Sequence, residues 1–153
     1  MSDLSSICAI EDDSFPSPYP RGLLQRLLLY CRDSFLVAAD GDGKLVGYCV
    51  CSVDGESAHL ISIAVQASHR RKGFATALLK RLATQLADKG VNELRLEVGV
   101  TNGEAVALYS KNGFEKAEII PNYYSDGSDA FRMKLIVHDE TDQFSMSDGG
   151  NLS

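Results

Sequence analysis

Apolar residues recur with two different periods along this chain, and the changes of period mark the predicted elements. Over residues 75–86 the apolar positions follow helical spacing, and Gly90 then ends the helix as a left-handed cap does. Over residues 94–98 apolar and charged residues alternate, which predicts a strand with one apolar face. Residues 60–65 are almost continuously apolar, so this strand is expected at the centre of a sheet.

Turn and breaker residues divide the rest of the chain. Proline residues over 16–20 separate two helical patterns, and Asp40-Gly41-Asp42-Gly43 is typical of a hairpin turn. Thr101 to Glu104 has the spacing of a capping box, which begins a short helix that ends near Gly113. The predicted helices cover 7–14, 23–31, 75–90 and 101–112, and the predicted strands cover 35–39, 45–53, 60–65, 94–98, 114–120 and 130–137.

This order of elements predicts an α/β fold of the mixed α+β kind, with a central mixed sheet flanked by helices on both faces. One domain is expected over residues 1–137, because neither an internal repeat nor a linker interrupts it. Residues 138–153 are polar and acidic, so we expect a disordered tail there.

Composition narrows the class of protein. A hydrophobic fraction of 44% and a charged fraction of 24% are typical of a soluble globular protein. Neither a membrane-spanning apolar run nor a signal pattern is present in the sequence, which predicts a cytoplasmic protein without a membrane partner. The net charge of −6 argues against non-specific nucleic-acid binding. The spacing of the cysteines favours small core residues over metal ligands or disulfides; they are Cys8, Cys31, Cys49 and Cys51.

A basic loop stands out against this acidic background. Arg70, Arg71, Lys72 and Gly73 follow the apolar strand and precede the long helix, where the free N–H groups of a helix N-terminus bind anions. The loop matches neither the dinucleotide fingerprint nor a Walker A motif. It therefore predicts a phosphate-binding loop, with a solvated basic surface as the alternative.

A longer series of motifs resembles one known family. Arg70-x-x-Gly73-x-Ala75 is followed by Leu96-Glu97-Val98, Asn102, Ala105, Leu108-Tyr109 and Gly113-Phe114. This series is similar to the acetyl-CoA-dependent GNAT N-acetyltransferase superfamily, and the resemblance runs from about residue 10 to 137. Segments 62–65, 68–71 and 123–133 resemble the protein N-terminal acetyltransferases, which include the ribosomal-protein-alanine acetyltransferase and the catalytic subunit of N-terminal acetyltransferase A.

The resemblance implies acetyl-CoA as the co-substrate, without a metal. The residues that it assigns to acetyl-CoA lie on the central strand, in the basic loop and around the short helix; they are Ile63, Ala64, Val65, Arg70, Arg71, Lys72, Gly73, Phe74, Ala75, Asn102 and Tyr109. For Asn102 a helix cap remains the alternative.

Three catalytic candidates also follow from the resemblance. Glu97 is the candidate base, acting directly or through water, and Tyr109 is the candidate acid for the leaving thiolate. His59, which precedes the central strand, is a candidate proton relay. The alternatives are a solvated strand face for Glu97, a packed core position for Tyr109 and a polar edge position for His59.

Two aromatic loops match those that hold the substrate N-terminus in these acetyltransferases. The peptide-binding candidates are Phe15, Pro16, Tyr19, Tyr123 and Tyr124. Core positions for Phe15 and Tyr124 are the alternative. N-terminal acetyltransferase A carries a glutamate where this chain has Ser17, so its substrate preference is not transferred.

The sequence thus predicts an Nα-acetyltransferase that modifies protein or peptide N-termini by direct attack on the thioester. The alternatives are acetylation of lysine or a small amine, and a catalytically weak acetyl-CoA-binding module. The superfamily usually has a strand before its first helix, and here that strand is expected to be missing or truncated. The resulting free edge beside residues 35–39 is a candidate for homodimerisation.

Overall fold

The structure is a computed structural model that describes residues 2–15 and 18–137. In this part of the chain the helices are α1 (Ser2–Ser14), α2 (Arg21–Tyr30), α3 (Phe74–Asp88) and α4 (Gly103–Lys111). The strands are β1 (Phe35–Ala39), β2 (Leu45–Asp54), β3 (Ser57–Val65), β4 (Glu93–Gly99), β5 (Glu115–Ile120) and β6 (Ala130–Ile136). Short 3-10 turns lie at Arg32–Ser34 and Ala67–His69.

The strands form a six-stranded sheet in the order β1-β2-β3-β4-β6-β5. Strand β3 is parallel to β4, whereas β6 is antiparallel to both β4 and β5, so the sheet is mixed. The predicted mixed α/β fold and the interior position of the strand at 60–65 are therefore confirmed. Within the described residues β1 is an edge strand and α1 is the first element. Homodimerisation at this edge stays a prediction.

Backbone contacts group the described residues into two compact units. The first unit comprises the described residues up to 52, together with residues 60–82. Apolar residues of α1 recur every three positions and pack, with one residue of α2, against residues of β2 and β3. This buried cluster consists of Leu4, Ile7, Ile10, Leu24, Tyr48, Val50 and Ala64.

The hairpin of the first unit confirms the predicted turn chemistry. The Asp40 side chain accepts hydrogen bonds from the backbone N–H groups of Asp42 and Lys44, at 2.9 and 3.0 Å. Gly43 has φ +83°, a conformation that favours glycine. These local bonds fix the connection between β1 and β2.

The second unit comprises residues 53–59 and the described residues from 83 onward. Leu94, Leu96 and Val98 are buried and alternate with half-buried charged residues, as the spacing predicts. Helix α4 is capped by Asn102, whose side chain accepts a hydrogen bond from the N–H of Ala105 at 3.2 Å. The predicted cap at Thr101 is wrong by one residue, and the alternative interpretation of Asn102 as a cap is confirmed.

Only the starts of α1 and β3 differ from the predicted boundaries by more than two residues. Helix α1 begins at Ser2 instead of residue 7, because burial of Leu4 outweighs the weak helix propensity of the serine-rich start. Strand β3 begins at Ser57, so His59 lies within the strand and pairs with Arg95 of β4. The expectation that His59 precedes the strand is wrong, since parallel pairing with β4 extends the strand across polar residues.

The predicted tail over 138–153 and the peptide-binding candidate Pro16 lie outside the described residues. Among the helices that the structure describes, none has the length and apolar character needed to cross a membrane. Cys49 and Cys51 are buried, as predicted, whereas Cys8 and Cys31 are only half-buried.

Candidate functional site

A nearly buried carboxylate is the chemical centre of the second unit. Glu97 on β4 has a side chain only 7% exposed, and it lies opposite Arg132 in the register of β4 and β6. Its Oε1 is 2.6 Å from Nε2 of His59, and its Oε2 accepts a hydrogen bond from Nε of Arg132 at 3.1 Å. The structure thus brings two predicted catalytic residues, Glu97 and His59, into direct contact.

Opposing effects act on the pKa of Glu97. Burial raises it, but the hydrogen bonds from His59 and Arg132 and the positive charges of these partners outweigh the burial. The pKa of Glu97 therefore lies below its ordinary value, and the group is a carboxylate at neutral pH. A carboxylate can only accept, so Nε2 of His59 carries the hydrogen of their shared bond.

Arg132 was not singled out in the sequence. Its guanidinium bridges Glu97 and Glu118, donating from Nη1 to Glu118 Oε1 at 3.0 Å. The sequence does contain a signal, because Arg132 and Lys134 alternate with apolar residues in β6. These two positive charges are opposite in sign to the acidic positions of β4. The pairing of the two strands makes these charges neighbours.

The aromatic turn after β5 reaches the same carboxylate. The Tyr123 hydroxyl donates to Glu97 Oε1 over 3.4 Å, and the rings of Tyr123 and Tyr124 meet edge to face at 4.9 Å. Tyr124 is 37% exposed, so the alternative of a core position is wrong for this residue. A Cβ added at Gly99 would lie 3.7 Å from the Tyr124 ring. Two predicted peptide-binding residues thus lie on the surface of the second unit, one of them beside Glu97.

Tyr109 lies on α4 and is nearly buried, with 8% of its surface exposed. Its ring packs edge to face against Phe114 at a centroid distance of 5.6 Å. This contact agrees with the alternative of a packed core position, and it also fixes the direction of the phenol. The ring can pack against Phe114 while the hydroxyl donates a proton, so the two interpretations of Tyr109 are compatible.

The basic loop of the first unit has the backbone of an anion-binding turn. Gly73 has φ +88° and Arg71 has φ +64°, and helix α3 begins directly afterwards at Phe74. Arg70, Arg71 and Lys72 are all exposed. A turn of this kind followed by a helix start directs N–H groups toward an anion.

Arg70 has contacts that the sequence did not indicate. Its Nε donates to the carbonyl of Val65 at 2.8 Å and its Nη2 donates to Ser14 Oγ at 3.1 Å. Asp13 lies 3.9 Å from the same guanidinium and accepts from the N–H of Ala67 at 2.9 Å. Arg70 thus holds the end of α1 to the loop that follows β3. Of the other predicted contacts, Ala64 and Val65 are buried, whereas Ile63, Phe74 and Ala75 are half-buried.

Between α1 and α2, Phe15, Pro18 and Tyr19 are half-buried, whereas Pro20 is exposed. Phe15 packs against the core of the first unit, which agrees with its alternative interpretation as a core residue. Tyr19 also packs there, and its hydroxyl donates to the carbonyl of Ile61 over 3.5 Å. Its backbone N–H donates to Glu11, a buried residue of α1 that the sequence pattern does not mark as functional.

Among the described residues, no group of three or more His, Cys, Asp or Glu side chains is arranged to hold a metal ion.

Known proteins match this chain in sequence and in structure. The acetyltransferase (GNAT) family profile matches residues 4–114. An N-alpha-acetyltransferase of Saccharolobus solfataricus is 34% identical over 146 residues, which cover 87% of each chain. Ard1 from Thermoplasma volcanium is 32% identical with a TM-score of 0.85, covering 90% of this chain and 93% of Ard1. A chain of the NatC complex bound to Gag peptide and CoA is 25% identical with a TM-score of 0.80, covering 87% of this chain and 89% of its own.

Proposed function

This chain belongs to the acetyltransferase (GNAT) family, as its series of motifs predicts, and we propose that it acetylates the α-amino groups of protein or peptide N-termini. The single observation that carries the proposal is the contact of Glu97 with His59. A carboxylate that stays ionised beside an imidazole suits removal of one proton from an amine. The likeness to an N-alpha-acetyltransferase supports this choice of acceptor.

Acetyl-CoA is the proposed acetyl donor. The turn at Gly73 and the start of α3 would hold its pyrophosphate through backbone N–H groups, with Arg71 and Lys72 supplying positive charge. The relative that was crystallised with CoA and a peptide supports this donor. In this proposal Arg70 shapes the loop through its bonds to Val65 and Ser14. Asn102, which caps α4, remains a predicted contact of the cofactor.

The proposed reaction is a direct transfer. The neutral amine attacks the thioester carbonyl, the bond between carbon and nitrogen forms, and the bond between carbon and sulfur breaks. The proton of the amine passes, directly or through water, to Nδ1 of His59, whose positive charge Glu97 then stabilises. The departing thiolate of CoA takes the proton of the Tyr109 hydroxyl.

The energy of deprotonation favours an α-amine over a lysine side chain. At pH 7 an α-amine of pKa about 8 loses its proton at a cost of about 1 to 1.5 kcal/mol, whereas a lysine of pKa about 10.4 requires roughly 4.6 kcal/mol. A single carboxylate–imidazole pair matches the smaller requirement. Tyr123, whose hydroxyl contacts Glu97, would hold the first residues of the peptide.

A blocked peptide tests this proposal. Two peptides of identical sequence with one internal lysine, one with a free and one with a formylated N-terminus, would be incubated with acetyl-CoA while released CoA is followed. We expect release with the free peptide and almost none with the blocked one. Equal release with both would favour the lysine acetyltransferase. Absence of release from either, despite tight acetyl-CoA binding, would favour the binding module.

Tyr109→Phe should lower kcat by about 100-fold, the effect expected for the loss of a general acid. The ring contact with Phe114 is retained in this variant, so the melting temperature should change little. Steady-state kinetics and thermal unfolding would be compared with Tyr30→Phe, which removes the hydroxyl of an exposed tyrosine on α2. Unchanged kcat in Tyr109→Phe would assign the acid to another group.

The pH dependence of kcat/KM should follow the ionisation of the substrate's α-amine. Between about pH 6 and 8 the value should rise as the α-amine loses its proton, since the pKa of an α-amine is about 8. Burial raises the pKa of Glu97, but its bonds to His59 and Arg132 hold it below the ordinary value, so Glu97 is ionised across this window. Profiles would be measured for the wild type and for Glu97→Gln. An inflection between pH 6 and 8 that only the wild type shows would mean that the α-amine is not the group that titrates there.

A further inference from the structure

A second carboxylate, Glu11, is buried in the first unit. It follows Ile7 by one helical turn on the apolar face of α1 and is only 2% exposed. A buried carboxylate is costly unless hydrogen bonds satisfy its oxygens. The apolar residues Leu4, Ile7 and Ile10 already supply the packing of α1. Packing alone therefore does not explain a carboxylate at this position.

Both oxygens of Glu11 accept hydrogen bonds from other elements. Oε1 accepts from the hydroxyl of Tyr48 on β2, and that hydroxyl lies 3.1 Å from Ser62 Oγ on β3. Oε2 accepts from the backbone N–H of Tyr19 at 2.8 Å. The carboxylate thus joins the interior of the sheet to the segment that leads into α2.

The sequence around Tyr19 explains why this segment needs a side-chain acceptor. Tyr19 stands between Pro18 and Pro20, and neither proline has a backbone N–H. Of these three residues, only Tyr19 can therefore be held through its backbone N–H. Glu11 binds that group and leaves the Tyr19 side chain against the core, with its hydroxyl directed at the carbonyl of Ile61.

We propose that Glu11 is a positioning residue for the acceptor peptide, because it fixes the backbone at Tyr19. The proposal rests on the proposed function and on the predicted role of Tyr19 in peptide binding. It gives the buried carboxylate a role in substrate affinity that is separate from proton transfer at Glu97. Loss of the hydrogen bond between Glu11 and the Tyr19 N–H should raise KM for the peptide and leave kcat and KM for acetyl-CoA nearly unchanged.

Two substitutions of similar size separate anchoring from packing. Glu11→Met removes both acceptors, whereas the amide of Glu11→Gln keeps an oxygen for the Tyr19 N–H and can donate to the Tyr48 oxygen. Glu11→Met should raise KM for the peptide by about three- to tenfold, the loss expected for one buried hydrogen bond. Glu11→Gln should stay within about twofold of the wild type, and so should Asp12→Met, the matched control at the exposed neighbouring position.

Hydrogen exchange at the Tyr19 amide measures the strength of its hydrogen bond to Glu11 independently of activity. Exchange should be faster in Glu11→Met than in the wild type, and close to wild type in Glu11→Gln. If Glu11→Met does not fold, Tyr48→Phe is the second variant, because it keeps the ring and removes the donor to Oε1. It should raise exchange at Tyr19 and KM for the peptide in the same direction.

The two proposals fail in different ways. An unchanged peptide KM in a folded Glu11→Met variant, or an unchanged Tyr19 exchange rate, would overturn the role of Glu11. Failure of the proposed function would appear in the wild type itself, as transfer to lysine in place of the α-amine.

Discussion

Gly73→Glu should weaken acetyl-CoA binding at least about 100-fold, because like charges facing each other cost several kcal/mol and each 1.4 kcal/mol is a factor of ten. In the proposed complex the pyrophosphate approaches the backbone at this residue, where φ is +88°. A carboxylate side chain there would repel the phosphates and cover the N–H groups that bind them. The effect should be a loss of affinity in a folded protein, measured by calorimetry with acetyl-CoA.

Gly43→Glu is the matched control for this loss. Gly43 has φ +83°, and a Cβ at either glycine would meet no described atom within 4 Å beyond its chain neighbours. Both substitutions therefore impose the same backbone strain and the same charge, but Gly43 lies in the hairpin between β1 and β2. Acetyl-CoA affinity should be normal in Gly43→Glu. Normal affinity in Gly73→Glu as well would refute the assignment of the loop to phosphate.

Glu97→Gln should lower kcat by about 100-fold or more, the range for impaired general-base catalysis, because the proposed base His59 loses its carboxylate partner. The amide keeps the shape of the side chain, but it removes the charge that stabilises a protonated His59. Acetyl-CoA affinity should change little, since the residues proposed for the pyrophosphate lie in the basic loop. Steady-state kinetics from pH 6 to 9 and calorimetry would measure the two quantities.

Glu93→Gln provides the control on the same strand. Glu93 also points from the polar face of β4, and it lies 3.9 Å from Lys134 of β6. The substitution removes one carboxylate from the strand without touching His59 or Arg132, so kcat should stay near the wild-type value. If Glu97→Gln also kept that value, the pair of Glu97 and His59 would not be the proton acceptor, and proton transfer would belong to another group.

Local patterns were sufficient to predict much of the fold. Strand β1 was predicted at residues 35–39 with both ends correct, since the Asp-Gly turn defines its limit. The polar and apolar faces of β4 followed from alternation alone. The start of α1 was missed because it depends on burial of Leu4, which no local signal in the serine-rich segment reveals.

The site was predicted less completely, because its contacts join residues far apart in the sequence. Glu97 and His59 were selected separately, whereas their contact depends on the parallel pairing of β3 with β4. Arg132 was missed because strand register decides which charges become neighbours. Glu11 carried a signal, since it occupies an apolar helical position after Ile7, but its partners Tyr19 and Tyr48 come from separate elements.

The central claim is that the α-amine, and no other amine, is the acceptor. Mass spectrometry would locate the acetyl group on peptides that begin with Ser, Ala or Met and contain an internal lysine, after incubation with acetyl-CoA and the wild-type protein. We predict that the acetyl group lies on the N-terminal residue and that lysine is largely spared, because deprotonating lysine costs about 3 kcal/mol more. An acetyl group found mainly on lysine would contradict the claim.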